Sequence, residues 1–485
     1  MKKLPAMAAA GVLLSFASCI SEKTPEPNLT AFPAEVNAIV STKCSVTGCH
    51  TSNAKEAAGG FSMETWTQTF EGGNGGAMII PYSPDQSWVM YYTNTDTARG
   101  VVLEPTMPYL REPLTDQEWE TLYNWIVSGA PDEKGVVAFS VNPNRRKFYV
   151  SNQGCDLVSV FDAESGLVMR YVAVGQDAAA VNVPHQLRMS PDRKYWYAVF
   201  VNGTVIEKYS TADDSYVGSV EIGTGNWNTM TITGDGRFGF AVDWTDNGKI
   251  AYVNLENLEF IRHYSGFSFP HGSWVNKAGT TLYVTSQSGN YIYKVDLSNP
   301  NFPSLQQVVL KPGQSPNNFP GTFDPHEIML SPDESKYFVT CQASNEVRVF
   351  DAGTDTLIKA IPVSQYPLEM DISKKRNLLF VTCEFQPCSE PKCIGAVDVI
   401  DLNTLEVIKV LQNGMYQPHG IAVLDDLDRA AVASRNLDTG GPPPHHISNC
   451  GGRNGFVQLI DLATLEFVPG FRTEVSVDPY SVIAR

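Results

Sequence analysis

The sequence predicts an all-α domain of about a hundred residues followed by an all-β seven-bladed propeller. Three observations lead there. Residues 30–132 close on a well-signalled helix, "LTDQEWETLYNWIVSGAPD". From residue 136 onward a two-strand motif recurs. The chain then finishes on "DPYSVIAR", one more copy of that motif's first strand alone. At 485 residues and 43% hydrophobic content the chain can bury more than one core. Its net charge of −17 disfavours nucleic acid and anionic membrane surfaces as partners and favours basic proteins.

The chain begins "MKKLPAMAAAGVLLSFASC". Two lysines precede an apolar run too short to span a bilayer comfortably, and small residues follow, which is the layout of an export signal. Residues 1–19 are assigned to it and residues 20–29, polar with two prolines, to a tether. The "FASC" stretch resembles a bacterial lipobox. That resemblance implies acylation of Cys19 and an exported, membrane-anchored lipoprotein facing the periplasm or cell surface. The alternative is ordinary secretory cleavage beside an incidental cysteine.

Within residues 30–132, Thr115 and Glu118 are spaced as a capping box, and Leu114 with Trp119 as a hydrophobic staple. Trp119, Leu122, Trp125 and Ile126 fall on one helical face, and Gly129 and Pro131 end the helix. Upstream, "KCSVTGCHTS" sets Cys44, Cys49 and His50 together. A disulfide would leave His50 without a role. Zinc needs about four ligands where three are obvious. Haem attachment uses all three: each thiol bonds a vinyl group and the adjacent histidine ligates the iron. Met107, in the loop "LEPTMPYLREP", is the candidate sixth ligand, with Met78 and Met90 as alternatives.

This arrangement resembles class I c-type cytochrome domains, in which the haem motif comes early and "MP" precedes a last helix. The resemblance covers about a hundred residues and implies haem c and electron exchange with a redox protein partner. The family's usual spacing is C-x-x-C-H. Here four residues separate the cysteines, and Gly48 eases the bulge this requires.

The repeat includes "VVAFSVNPNRRKFYVSN" from Val136, "PHQLRMSPDRKYWYAVF" from Pro184 and "PHEIMLSPDESKYFVTC" from Pro325. Each copy holds two alternating strands around a polar turn, followed by another pair. Four strands per unit, at steps of 42 to 61 residues, make a propeller blade, and there are seven units over 136–485. The closing half-copy is expected to join blade one and remove its open edge. The "SPD" and "YVT" turns resemble YVTN-type propellers, a likeness specific for fold and weak for function.

Four histidines share one register position: His185, His271, His326 and His419, each after a proline at the start of a blade's first strand. Val137, Asn228, Leu368 and Tyr480 occupy it elsewhere. Strand parity places the blade-seven insertion, with His445 and His446, on the same face. Converging neutral imidazoles suit copper, zinc or iron, with Glu327 as a supporting carboxylate. The competing reading is turn chemistry alone. The arrangement is similar to nitrous oxide reductase and cytochrome cd-type nitrite reductase propellers, although only four histidines are in register. Three functions stay open: haem-based electron transfer, a periplasmic oxidoreductase active at this mouth, and a non-catalytic binding module. Among the remaining cysteines the candidate pairs are Cys388 with Cys393, Cys155 with Cys450, and Cys341 with Cys383.

Overall fold

The computed structural model describes residues 31–175, 180–385, 394–448 and 450–485. The segments expected to form the export signal and tether, Cys19, and the expected Cys388–Cys393 pair lie outside the described residues. Among the described residues, no helix is long and apolar enough to cross a membrane.

Residues 136–485 contain seven four-stranded antiparallel sheets. Each blade's first strand packs against the next around a closed circle. In order these are Pro479–Ala484 for blade one, then Pro184–Met189, Trp227–Ile232, Pro270–Val275, Pro325–Leu330, Gln365–Ser373 and Pro418–Leu424. Pro479–Ala484 pairs with Lys147–Asn152, so the final half-copy supplies the innermost strand of blade one. The segment assigned that place, around Val137, is not a strand. Ala138 instead joins the core of the N-terminal region, with Val136 and Phe139 packed against it. The innermost position in blade one is filled from the other end of the chain, and this leaves the 136–139 segment free to act as the connector.

The hydrophobic clusters of the ring mostly span neighbouring blades. One gathers Phe148 and Phe161 of blade one with Leu424, Val457 and Val475 of blade seven. Blades one and two are also joined by a buried ion pair: Lys147 Nζ meets Asp214 Oδ2 at 2.8 Å, and Tyr149 donates to Asp214 Oδ1 at 3.0 Å. Cys155 and Cys450 form the expected disulfide across the blade one–seven seam. Cys341 and Cys383 are both buried, free thiols, so that pair does not form.

An all-α N-terminal domain is not evident. The helices are α1 (Ala34–Ile39, continued by a π turn to Cys44), α2 (Trp66–Thr69), α3 (Trp88–Thr93) and α4 (Asp116–Val127). Only α4 is a regular α-helix of more than two turns, and it carries the expected capping box between Thr115 and Glu118. The physical reason is compositional: glycines crowd residues 59–76 and prolines residues 105–113, and both oppose helix. Leu122, Trp125 and Ile126 of α4 pack with Val36 and Ile39 of α1 and with Trp66. The region docks on the propeller through Ile80, which is buried in the core shared by blades one and seven.

Candidate functional site

Two groups of candidate ligands come together at separate places. The first lines a cavity of about 1040 Å³ between the N-terminal region and blade seven. That volume lies at the upper end of what small-molecule and cofactor sites occupy. Cys44, Cys49, His50 and Met107 all face it, with Met63 and Met78. Met90 does not; it is buried in the hydrophobic core. Cys44 and Cys49 are free thiols, which removes the local disulfide reading.

The π turn at Val40–Cys44 and the following bends place Cys44 in the wall of the core and Cys49 at the half-exposed rim. Burial pushes the Cys44 thiol up to about 12. His50 lies beside the Phe61 ring, and its Nδ1 is 3.3 Å from the Phe61 carbonyl. With Nδ1–H donated there, Nε2 keeps its lone pair for a ligand. Burial holds His50 below its ordinary value, which favours the neutral, ligating form. The backbone N–H of Met107 donates to Tyr92 O at 2.7 Å, which ties the methionine loop to the end of α3.

Blade seven supplies the rest of the wall, including His445, Phe456, Phe471 and Arg472. This corrects the placement of His445 and His446 at the propeller mouth. The blade-seven insertion folds over the outer strand Glu466–Val477, where Glu474 anchors both histidines. Its Oε2 meets His445 Nδ1 at 2.7 Å, and its Oε1 lies 3.4 Å from His446 Nδ1. Their rings rest on Trp88 and Tyr91 of α3. Parity fixes which end of the blade such a loop leaves from, but not how far it then travels. Burial would raise the Glu474 carboxyl, but hydrogen bonds from His445 and Asn454 hold it below the usual glutamate value.

The second group is a belt inside the propeller. His185, His271, His326 and His419 are all buried, at 2–8% exposure. Ring centroids are 5.8 Å apart for His185–His271, 4.2 Å for His271–His326 and 5.6 Å for His326–His419. Tyr480 closes the circle, 3.5 Å from His419 and 4.3 Å from His185. Asn228 Nδ2 lies 3.3 Å from His185 Nε2. Thus five of the seven register positions form a continuous ring and a sixth is attached to it.

The turn that aims these side chains is a repeated one. The residue before the register proline has positive φ in six blades: Val183, Phe269, Asp324, Tyr366, Gln417 and Asp478. A non-glycine residue in that region is uncommon, and the ring of inner strands holds it there six times. The prolines mark this turn, so turn chemistry accounts for them; the histidine side chains turn inward and meet one another. Burial is the main cause that lowers all four imidazoles, to about 4 for His271, and keeps them neutral. Beside them His271, His326 and Glu327 offer one ligand atom each within 4.8 Å of one another.

No protein-family model matches the chain. It is 22% identical over 298 residues to Antigen Lp49 of Leptospira interrogans, covering 54% of this chain and 61% of that protein. The chain therefore spans about three-fifths of the length of the curated relative it matches. Among solved structures, the periplasmic gluconolactonase PpgL of Pseudomonas aeruginosa aligns at TM-score 0.53 and 14% identity, over 70% of this chain and 98% of that one. A functionally unknown protein from Desulfotomaculum acetoxidans aligns at TM-score 0.54 and 14% identity with the same coverage. These likenesses establish the propeller fold.

Two features were not foreseen from the sequence. One is Met63 in the cavity wall; no local motif marks it. The other is the part blade seven plays in closing the cavity, for which the long insertion was the only available signal.

Proposed function

We propose that the protein is an exported, lipid-anchored haem c protein that transfers electrons. The observation that carries this reading is that Cys44, Cys49, His50 and Met107 line one cavity of cofactor size, with both thiols free. The donor set fits haem c: two thiols for vinyl groups, an imidazole oriented by its backbone hydrogen bond, and a thioether in the same cavity wall. When bound, haem supplies a one-electron iron couple. Cys44 and Cys49 would hold it through thioether links to its two vinyl groups, additions of S–H that need no net redox change. His50, through Nε2, and Met107 would serve as the iron's ligands. Lys43, Arg111 and Arg472 on the walls offer cations to the cofactor's carboxylates. Phe61, Val89, Leu114 and Phe471 give the cavity apolar surface against which the porphyrin would pack.

The layout of residues 1–19 supports export, with Cys19 as the lipid-bearing residue, and the net charge of −17 suits a basic redox protein partner. The test is expression of the full chain in a host with a c-type maturation pathway. The expected result is a coloured protein whose haem remains attached on a denaturing gel, with a mass increase of one haem. A colourless chain from that host would sink the reading.

A further inference from the structure

We propose that the histidine belt holds a divalent transition-metal ion of the zinc or copper class, bound by His271, His326 and Glu327 in the propeller channel. This site is distinct from the haem cavity and does not rest on the haem reading.

The first argument is the donor geometry. Three ligand atoms within 4.8 Å of one another can be spanned by one ion at roughly 2 Å from each, with small adjustment. Two imidazoles and a carboxylate form a donor set typical of zinc and copper and unsuited to calcium or magnesium. His271 Nδ1 lies 3.1 Å from the His326 carbonyl oxygen, and donation there leaves Nε2 as the ligating atom.

The second argument is polar accounting. Buried polar groups nearly always have partners, and each orphan costs about 1–3 kcal/mol. The Nδ1 atoms of His185, His326 and His419 and the Oε2 atom of Glu327 have none. Glu327 Oε1 accepts from the Ile328 N–H at 3.1 Å, so the orphaned oxygen is the one free for an ion. All of these side chains are more than nine-tenths buried.

The third argument is that the backbone is shaped for the approach. Gly272 follows His271, and a Cβ there would stand 2.5 Å from the His326 carbonyl oxygen and 3.0 Å from Glu327 Oε1. Only glycine lets blades four and five close enough to bring these three ligands together.

The experiment uses the full, haem-matured chain. The protein is equilibrated with Zn²⁺ or with Cu²⁺, stripped of loose metal on a chelating resin and analysed by elemental mass spectrometry. The expected result is one zinc or copper per chain beyond haem iron. That metal should be lost in the His271→Gln, His326→Gln double variant and in Glu327→Gln, but retained in His263→Gln, whose ring lies outside the belt. Circular dichroism checks that each variant is folded. Should the double variant fail to fold, X-ray absorption at the metal edge of the unmodified protein decides, by showing or lacking imidazole scattering from two histidines. An unmodified protein free of both metals, or one whose metal persists in folded Glu327→Gln, overturns the proposal. A buried water would satisfy the same orphan atoms and would give the metal-free result.

Discussion

The cavity lined by Cys44, Cys49, His50 and Met107 and the histidine belt are built in opposite ways. The cavity is assembled from irregular segments: a π turn, a proline-pinned loop, a half-exposed cysteine and an insertion from another domain. The belt is assembled from one register position copied around a closed ring, and every member is buried. Irregular segments pack around whatever fills the space between them, whereas register positions are held by ladders of backbone hydrogen bonds. The cavity therefore depends on docking of the N-terminal region against blade seven, and the belt depends on ring closure.

The largest expected effect tests the first half of that contrast. A Cys44→Ala, Cys49→Ala double variant should lose all covalent haem, seen by haem staining. It should loosen the N-terminal region while the propeller's strand signal in circular dichroism persists. If the propeller melts along with it, the two regions are not separable. Removing the partner of a buried charge tests the other half. Asp214→Ala strands Lys147, whose burial already pulls it below the ordinary lysine value, at a cost of about 3–5 kcal/mol. The denaturation midpoint of the propeller should fall while haem attachment survives.

A pH titration probes the seam between the two. Glu474 faces His445 and His446 from the insertion, Tyr91 and Tyr92 from α3, and Tyr171 from blade one. Its folded-state carboxyl lies below its ordinary value of 4.5. Its contribution to docking is thus complete above 4.5 and lost as pH falls through the lower folded value. Limited proteolysis should detect undocking in acid, at higher pH for Glu474→Gln than for the unmodified chain; identical profiles would assign docking to Ile80 and its apolar neighbours alone.

Smaller effects calibrate the rest. Thr115→Ala removes the α4 cap and should cost about 1 kcal/mol, confined to the N-terminal transition. Lys409→Ala breaks an exposed pair with Glu466 and should shift stability by less than about 0.5 kcal/mol, which equilibrium unfolding can bound.

The seven-blade count, the closing half-copy and the α4 cap were legible because each is a local pattern with a fixed period or offset. Alternation marks a strand, a constant register marks a blade, and T-x-x-E marks a cap. The Cys155–Cys450 bond could be inferred because the two loops leave neighbouring blades at the same end. The extent of helix in the N-terminal region was misjudged: one well-signalled helix stood for a domain whose glycines and prolines resist helix elsewhere.

By itself the sequence determined that His185, His271, His326 and His419 share a position and that Cys44, Cys49 and His50 form one motif. Only the tertiary structure decided that the four imidazoles meet, because convergence depends on the radius of the closed ring and on a left-handed turn before each proline. Only it decided that His445 and His446 leave the mouth, because a long insertion follows the surface that best buries it. Here that surface is Glu474 and the aromatic face of α3. Repetition is encoded locally, and so can be read along the chain. Meeting points between distant segments depend on packing, which no single segment encodes.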